Sequence, residues 1–177
     1  AVQSVDCTHV VNVQGDEILI LPSDLQLMVK AIENEPDGDV WNAVGKVMSV
    51  DDLIDPSIVN SAVTKNGYII FFSRNFSSFG SRYDGHSEPI RINLGVLGYS
   101  RRFLEKFPDM KMTPLEKMES VEQFRTLENN IPIRAVHFTC SYLGINEPKD
   151  VNKVKEILKT DNKQKRILHK ILNSFEK

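Results

Sequence analysis

The stretch His9-Val10-Val11-Asn12-Val13-Gln14-Gly15-Asp16-Glu17 decides how this chain reads. An apolar run over residues 10–13 is broken by Gly15 and ends on two carboxylates. In an open α/β sheet, ligands collect at the carboxyl ends of the strands. A carboxylate there can hold a hard divalent cation such as Mg²⁺, which in turn binds phosphate oxygens. The simpler alternative is a buried strand entering a polar turn. Spacing alone leaves both open.

Working outward, residues 10–13 read as a buried strand, and Ser23 then opens a helix, with Gln26 placed for a capping box. Leu25, Met28, Val29 and Ile32 form its apolar face, and Pro36-Asp37-Gly38 ends it. Residues 40–48 are a second apolar strand, and 51–56 a connector or helical turn. Residues 58–64 and 68–72 flank Lys65-Asn66-Gly67, and an Asn-Gly pair between strand-like runs marks a hairpin. Residues 73–88 read as a polar, mobile loop. Residues 90–99 are a strand with Gly95 and Gly98 inside, where a bulge or a close approach is expected. Ser100 caps a short helix carrying Phe103, Leu104 and Phe107.

Thr113-Pro114-Leu115-Glu116 is a capping box with Pro at the first helical position. The helix that follows carries Leu115, Met118, Val121, Phe124 and Leu127 as one apolar stripe. Residues 131–139 alternate as a strand, in which His137 reads as packed or solvent-facing rather than as a ligand. Gly144-Ile145-Asn146-Glu147-Pro148 leads into a helix with Val151, Val154, Ile157 and Leu158. Asp161 caps a last helix with Ile167, Leu168, Ile171, Leu172 and Phe175. This order predicts an α/β fold with a mixed sheet.

A chain of 177 residues suits a single domain over 1–177. With 41% hydrophobic and 26% charged residues, a packed core is expected rather than disorder. A net charge of -2 offers no basic field, so nucleic acid is not an expected partner. Cys7 and Cys140 lie too far apart for a zinc pattern or a secreted disulfide framework. Cys140 reads as a small core residue rather than a nucleophile. The sequence shows no signal peptide and no membrane-length apolar run, so a soluble, cytoplasmic protein with no membrane partner is expected. Ala1-Val2-Gln3-Ser4-Val5-Asp6 reads as the tail of a helix running into the first strand, which leads to the expectation that an N-terminal portion is missing.

These words, in this order, resemble the 3-deoxy-manno-octulosonate cytidylyltransferases, the CMP-Kdo synthetases. The family's acidic strand end looks like residues 11–17, and its Phe-Ser-Arg after the hairpin like Phe72-Ser73-Arg74. Its Gly-x-x-x-Tyr strand with following Arg is similar to Gly95 and Tyr99, then Arg101 and Arg102. Its Pro-Leu-Glu helix with Glu-Gln-x-Arg and Leu-Glu resembles Pro114-Leu115-Glu116, Glu122-Gln123-Phe124-Arg125 and Leu127-Glu128. Its terminal Gly-x-Asp-x-Pro-x-Asp resembles residues 144–150. The resemblance is collinear from Val11 to Leu158.

The resemblance implies a Rossmann-like nucleotide-diphospho-sugar transferase fold with a mixed sheet, of which this chain would be the C-terminal part. It implies that the anomeric hydroxyl of an acid sugar attacks the α-phosphate of CTP and releases pyrophosphate, making precursors of lipopolysaccharide or capsule. Mg²⁺ is the implied cofactor and a homodimer the implied assembly. Asp16 would be the metal-binding, catalytic carboxylate, and Gln14 would lie beside the nucleotide or sugar. Arg74, Tyr99, Glu122 and Gln123 match positions lining the sugar pocket. Arg can pair bidentately with a carboxylate.

Three departures matter. Ile18 stands where the family has Pro, and Asn93 where it has a sugar-facing His. Asn146 stands where it has a second metal-ligating Asp, which keeps a neutral oxygen but loses a charge. Asn146 also reads as a plain helix cap. The family's opening Gly/Arg/Lys loop, which grips the triphosphate, has no counterpart between Ala1 and Lys177, so this chain alone is expected to be inactive. The alternative to the enzymatic reading is a degenerate relative that scaffolds or regulates.

Overall fold

The computed structural model describes residues 2–80, 89–139, 144–145 and 147–175. The strands among them are β1 (His9–Val13), β2 (Val40–Lys46), β3 (Asn60–Val63), β4 (Tyr68–Ser73), β5 (Ile90–Ser100) and β6 (Ile133–His137). The helices are α1 (Pro22–Asn34), α2 (Asp51–Ile54), α3 (Ser77–Gly80), α4 (Arg101–Lys106), α5 (Pro114–Glu119), α6 (Gln123–Glu128), α7 (Asp150–Thr160) and α8 (Asn162–Phe175). The strands order as β1-β5-β2-β6-β4-β3, and β5 also pairs with β3. Hydrogen bonds therefore run in a closed circuit, β2 to β5 to β3 to β4 to β6 and back to β2. β2 and β6 are parallel and the other pairs antiparallel, so the sheet is mixed.

β2 is buried on both faces. Trp41 and Ala43 join Met28 and Ile32 of α1 in one core cluster. Val40 and Val44 join Phe103 of α4 and Phe124 of α6 in the other. Residues alternating along a strand point to opposite faces, so one strand serves both layers.

The hairpin forms as its sequence requires. Gly67 takes a φ of 80°, which a side chain would resist, and its N–H donates to Thr64 O at 2.9 Å. Arg134 holds this turn: it donates to Asn66 O at 2.6 Å and to the Tyr68 hydroxyl at 2.8 Å, and it pairs with Glu35. Ser100 caps α4 by accepting from Phe103 N at 3.2 Å. Asp161 Oδ1 likewise accepts from the N–H groups of Lys163 and Gln164, at 2.8 and 2.9 Å, at the start of α8.

Several expectations are corrected. The 10–13 run is not buried: among the described residues β1 pairs with β5 alone, and Val13 is 41% exposed. α1 opens on Pro22 with Leu21 at its cap, and no Ser23 capping box forms. Asp24, inside the first turn, instead accepts from the Thr139 hydroxyl at 2.7 Å and ties α1 to the end of β6. Val29 faces out at 45% exposed. The helix expected after Thr113 is two helices, because Ser120 adopts a left-handed φ of 54° between α5 and α6. The stripe therefore breaks, and Met118 is exposed. The segment after β4 includes α3, and residues 81–88 of the expected loop, like Cys140, lie outside the described residues. No helix among the described residues is long and apolar enough to cross a membrane.

Candidate active site

The sheet irregularity predicted at Gly95 is the centre of the site. Asn42 pairs with Leu97 but Val44 pairs with Asn93, so β5 carries two extra residues opposite Ala43. The bulge turns Gly95 toward the segment that follows β1. Gln14 N–H donates to Gly95 O at 2.8 Å, and Gly95 N–H donates to the Glu17 carboxylate. A Cβ at Gly95 would stand 2.5 Å from Gln14 Oε1 and 3.0 Å from Glu17 Cγ, so both side chains would have to shift to admit one. The far side of the same turn is packed equally closely. Ile145 N–H donates to Asp16 O at 3.1 Å, and a Cβ on Gly144 would stand 2.7 Å from that oxygen.

Around this knot lies a polar cleft of about 160 Å³. Gln14, Asp16, Glu17, Arg74, Asn93 and Gln123 line it, with Ser57, Ile58, Val59 and Gly144 completing the wall. The Arg74 guanidinium is held by protein carbonyls: Nε donates to Glu119 O and Nη1 to Pro56 O, both at 3.1 Å. Its backbone N–H donates to the Glu119 carboxylate. Gln123 is the first residue of α6, so the break at Ser120 brings it to the cleft. Asn93 presents a buried Oδ1 with no hydrogen-bond partner among the described residues. Burial pushes the Glu17 carboxyl above its ordinary range; the Gly95 N–H pulls it back, and the neighbouring Asp16 charge adds to the rise.

The sequence-predicted residues thus divide. Gln14, Asp16, Arg74, Asn93 and Gln123 converge on one cleft. Tyr99 belongs to the second core cluster, stacked on Phe103 at 5.8 Å, and burial with the Glu122 charge pushes its hydroxyl above its ordinary value. Glu122 precedes α6, next to Gln123, without a side-chain capping bond, and is not among the residues lining the cleft. Asn146 lies outside the described residues, although Gly144 and Ile145 reach Asp16. Glu17 and Asn42 were missed as site residues. Glu17 carries a visible signal, a second carboxylate in the same turn. Asn42 shows only as a polar residue within an apolar strand.

The family model described as "Cytidylyltransferase" matches residues 1–134. The chain belongs to the cytidylyltransferase family. Among curated relatives, the chain is 31% identical to the 3-deoxy-manno-octulosonate cytidylyltransferase of Zea mays over 156 residues, 88% of this chain and 52% of that protein. It is 33% identical over 155 residues to the protein of that name from Thermodesulfovibrio yellowstonii, 85% of this chain and 60% of the relative. The chain thus spans about half the length of the maize relative. A solved CMP:2-keto-3-deoxy-manno-octonic acid synthetase, complexed with CTP, superposes with a TM-score of 0.79 at 22% identity, covering 90% of this chain and 65% of that one. That likeness establishes the fold of the chain as the nucleotidyltransferase type with a mixed sheet.

Proposed function

We propose that this chain carries the sugar-acid side of a CTP-dependent cytidylyltransferase site, within one catalytic domain and in a cytoplasmic setting. The reaction is transfer of CMP from CTP to 3-deoxy-manno-octulosonate or a related acid sugar, with release of pyrophosphate. The observation that carries this reading is convergence. The 14–16 turn, Arg74, Asn93 and Gln123 come from four separate stretches of the sequence and share one polar cleft. The family match and the names of the relatives supply the reaction class.

Each side chain has a role its chemistry supports. Arg74, pinned by two carbonyls, is a preorganised cation for the sugar carboxylate. Asn93 Oδ1 is an unused acceptor for a sugar hydroxyl. Gln14 lies against Gly95 in the lining and would contact nucleotide or sugar. Asp16 offers a hard carboxylate oxygen in a cleft whose other polar donors are mostly oxygens and amides. That set fits Mg²⁺, which takes one or two carboxylates and completes its shell with water and phosphate oxygens. Asp16 would hold it, with Asn146 the second candidate. When bound, Mg²⁺ neutralises charge on the phosphates. The cleft's volume is below the roughly 300–1,000 Å³ of whole-ligand pockets, which suits a sugar subsite rather than a complete two-substrate site.

The test is calorimetric titration of 3-deoxy-manno-octulosonate into the chain and into Arg74→Lys. Saturable binding is expected, weakened about tenfold by the substitution, because Lys cannot reproduce the guanidinium fork. Mannose, which lacks the carboxylate, should bind neither. No binding of the acid sugar to the unsubstituted chain would reject the assignment. Pyrophosphate release from CTP, acid sugar and Mg²⁺ by the protein at its encoded length then tests the transfer itself.

A further inference from the structure

One fully buried polar side chain reaches the cleft without lining it. Asn42 sits in β2 and is 0% exposed. Its Nδ2 donates to Ala43 O at 2.8 Å and to Leu94 O at 3.2 Å. A carboxamide has two N–H donors and one oxygen. With both donors on carbonyls, the amide cannot be inverted, since that would set its oxygen against two others. Oδ1 is therefore the atom it shows to Gln123, and Gln123 meets it with Nε2 at 3.4 Å. Gln123 is itself 7% exposed and lines the cleft. With its nitrogen turned to Asn42, Gln123 keeps Oε1 as an acceptor for a ligand, alongside the one N–H that Asn42 does not use. Asn93 Oδ1 is a second acceptor on the same lining.

We infer that Asn42 is a positioning residue that fixes the Gln123 amide, so that the inner wall of the cleft presents acceptors and selects ligand hydroxyls. The identity of the ligand rests on the acid-sugar reading above; the orientation of the amide does not. A hydroxyl at this wall gains a hydrogen bond. A ligand lacking that hydroxyl leaves a buried acceptor unpaired, which is a strong source of discrimination. Asn42 also holds Leu94 O, and so steadies the bulge beside Asn93.

The experiment has two arms. In the first, side-chain amide exchange is followed by NMR in the ¹⁵N-labelled chain without ligand. The Gln123 amide protons should exchange at least about tenfold more slowly than those of exposed Gln14, as expected of a buried, bonded group. In Asn42→Leu that protection should be lost while the backbone spectrum away from β2 is kept. In the second arm, 3-deoxy-manno-octulosonate is titrated into the chain, Asn42→Leu, Gln123→Leu and the double variant. Each single change should weaken binding about tenfold, and the double should be no weaker than Gln123→Leu alone, because Asn42 acts through Gln123.

An unprotected Gln123 amide in the unsubstituted chain would overturn the inference, as would losses that add in full in the double variant. A merely structural Asn42 would give those additive losses. If Asn42→Leu does not fold, the exchange comparison in the unsubstituted chain still decides. If the probe does not bind that chain, the acid-sugar reading fails, while the exchange arm still judges Asn42.

Discussion

Gly95 is clamped to the Asp16 turn through both of its backbone groups: its N–H donates to Glu17, and its C=O accepts from Gln14 N–H. A bulge frees backbone groups from the strand ladder. Here the freed groups fasten the end of one strand to the middle of another. The carboxylate at the first and the amide at the second then face one cleft. The site's precision therefore rests on backbone, with Asp16 fixed from the other side by Ile145 N–H.

This arrangement separates two glycine substitutions. Gly95→Ala meets mainly the side chains of Gln14 and Glu17, which can swing away. Gly144→Ala meets the backbone oxygen of Asp16 at 2.7 Å, which cannot move alone. Gly144→Ala should cost about 1–3 kcal/mol in urea unfolding, and Gly95→Ala less. Equal costs would mean that the Asp16 turn is soft.

Asn93 separates stability from function. Its buried Oδ1 has no partner among the described residues, and an unmet buried acceptor costs about 1–3 kcal/mol. Asn93→Ala should leave the urea midpoint unchanged or raised, yet weaken 3-deoxy-manno-octulosonate binding about tenfold. A lowered midpoint with unchanged binding would show a structural amide instead.

What was legible in the sequence was local. The hairpin was readable because Asn66-Gly67 permits a left-handed turn whatever surrounds it. Ser100 and Asp161 were readable because a cap concerns only the next few residues. The stripe from Leu115 to Leu127 misled because a single left-handed residue, Ser120, resets the helix phase without disturbing apolar spacing. In the site, Asp16 and Arg74 could be picked out by resemblance, and the cleft does collect them. Glu17 and Asn42 were not legible as site residues, because their importance lies in contacts with Gly95 and Leu94 more than fifty residues away. The β1 edge was misread for a related reason: an apolar run does not say how many neighbours a strand has.

The α5–α6 turn should weaken in acid. The Arg125 guanidinium bonds Glu116, whose side chain is 5% exposed, and holds its carboxyl below the ordinary range. A carboxyl whose pKa is lower in the folded state stabilises the fold above its unfolded value of 4.5, and that contribution is lost as pH falls through the folded value. Glu116→Gln should therefore cost about 1.5–3 kcal/mol at pH 7, and the gap should start to narrow below 4.5 and close once pH has fallen through the folded value. Urea curves from pH 3 to 7 measure this; a gap constant with pH would remove the ion pair as its cause.

The hairpin is expected to join two copies of the chain. Ile70 is 62% and Phe71 40% exposed on β4, side by side on a strand already paired on both edges. Phe71 also leans edge-on against Phe124 at 5.5 Å, so the patch continues onto α6. Burying such side chains is worth about 1.5–3 kcal/mol each, and a contact between copies would supply that burial. The chain should scatter light as a dimer at micromolar concentration, and Ile70→Lys should raise the dimer dissociation constant by at least about tenfold. The exposed end of α8, with Ile171, Leu172 and Phe175, is the competing surface. If Phe175→Lys dissociates the dimer and Ile70→Lys does not, the contact belongs to α8 and the hairpin assignment is wrong. A chain that is monomeric throughout the micromolar range would reject self-association through either face.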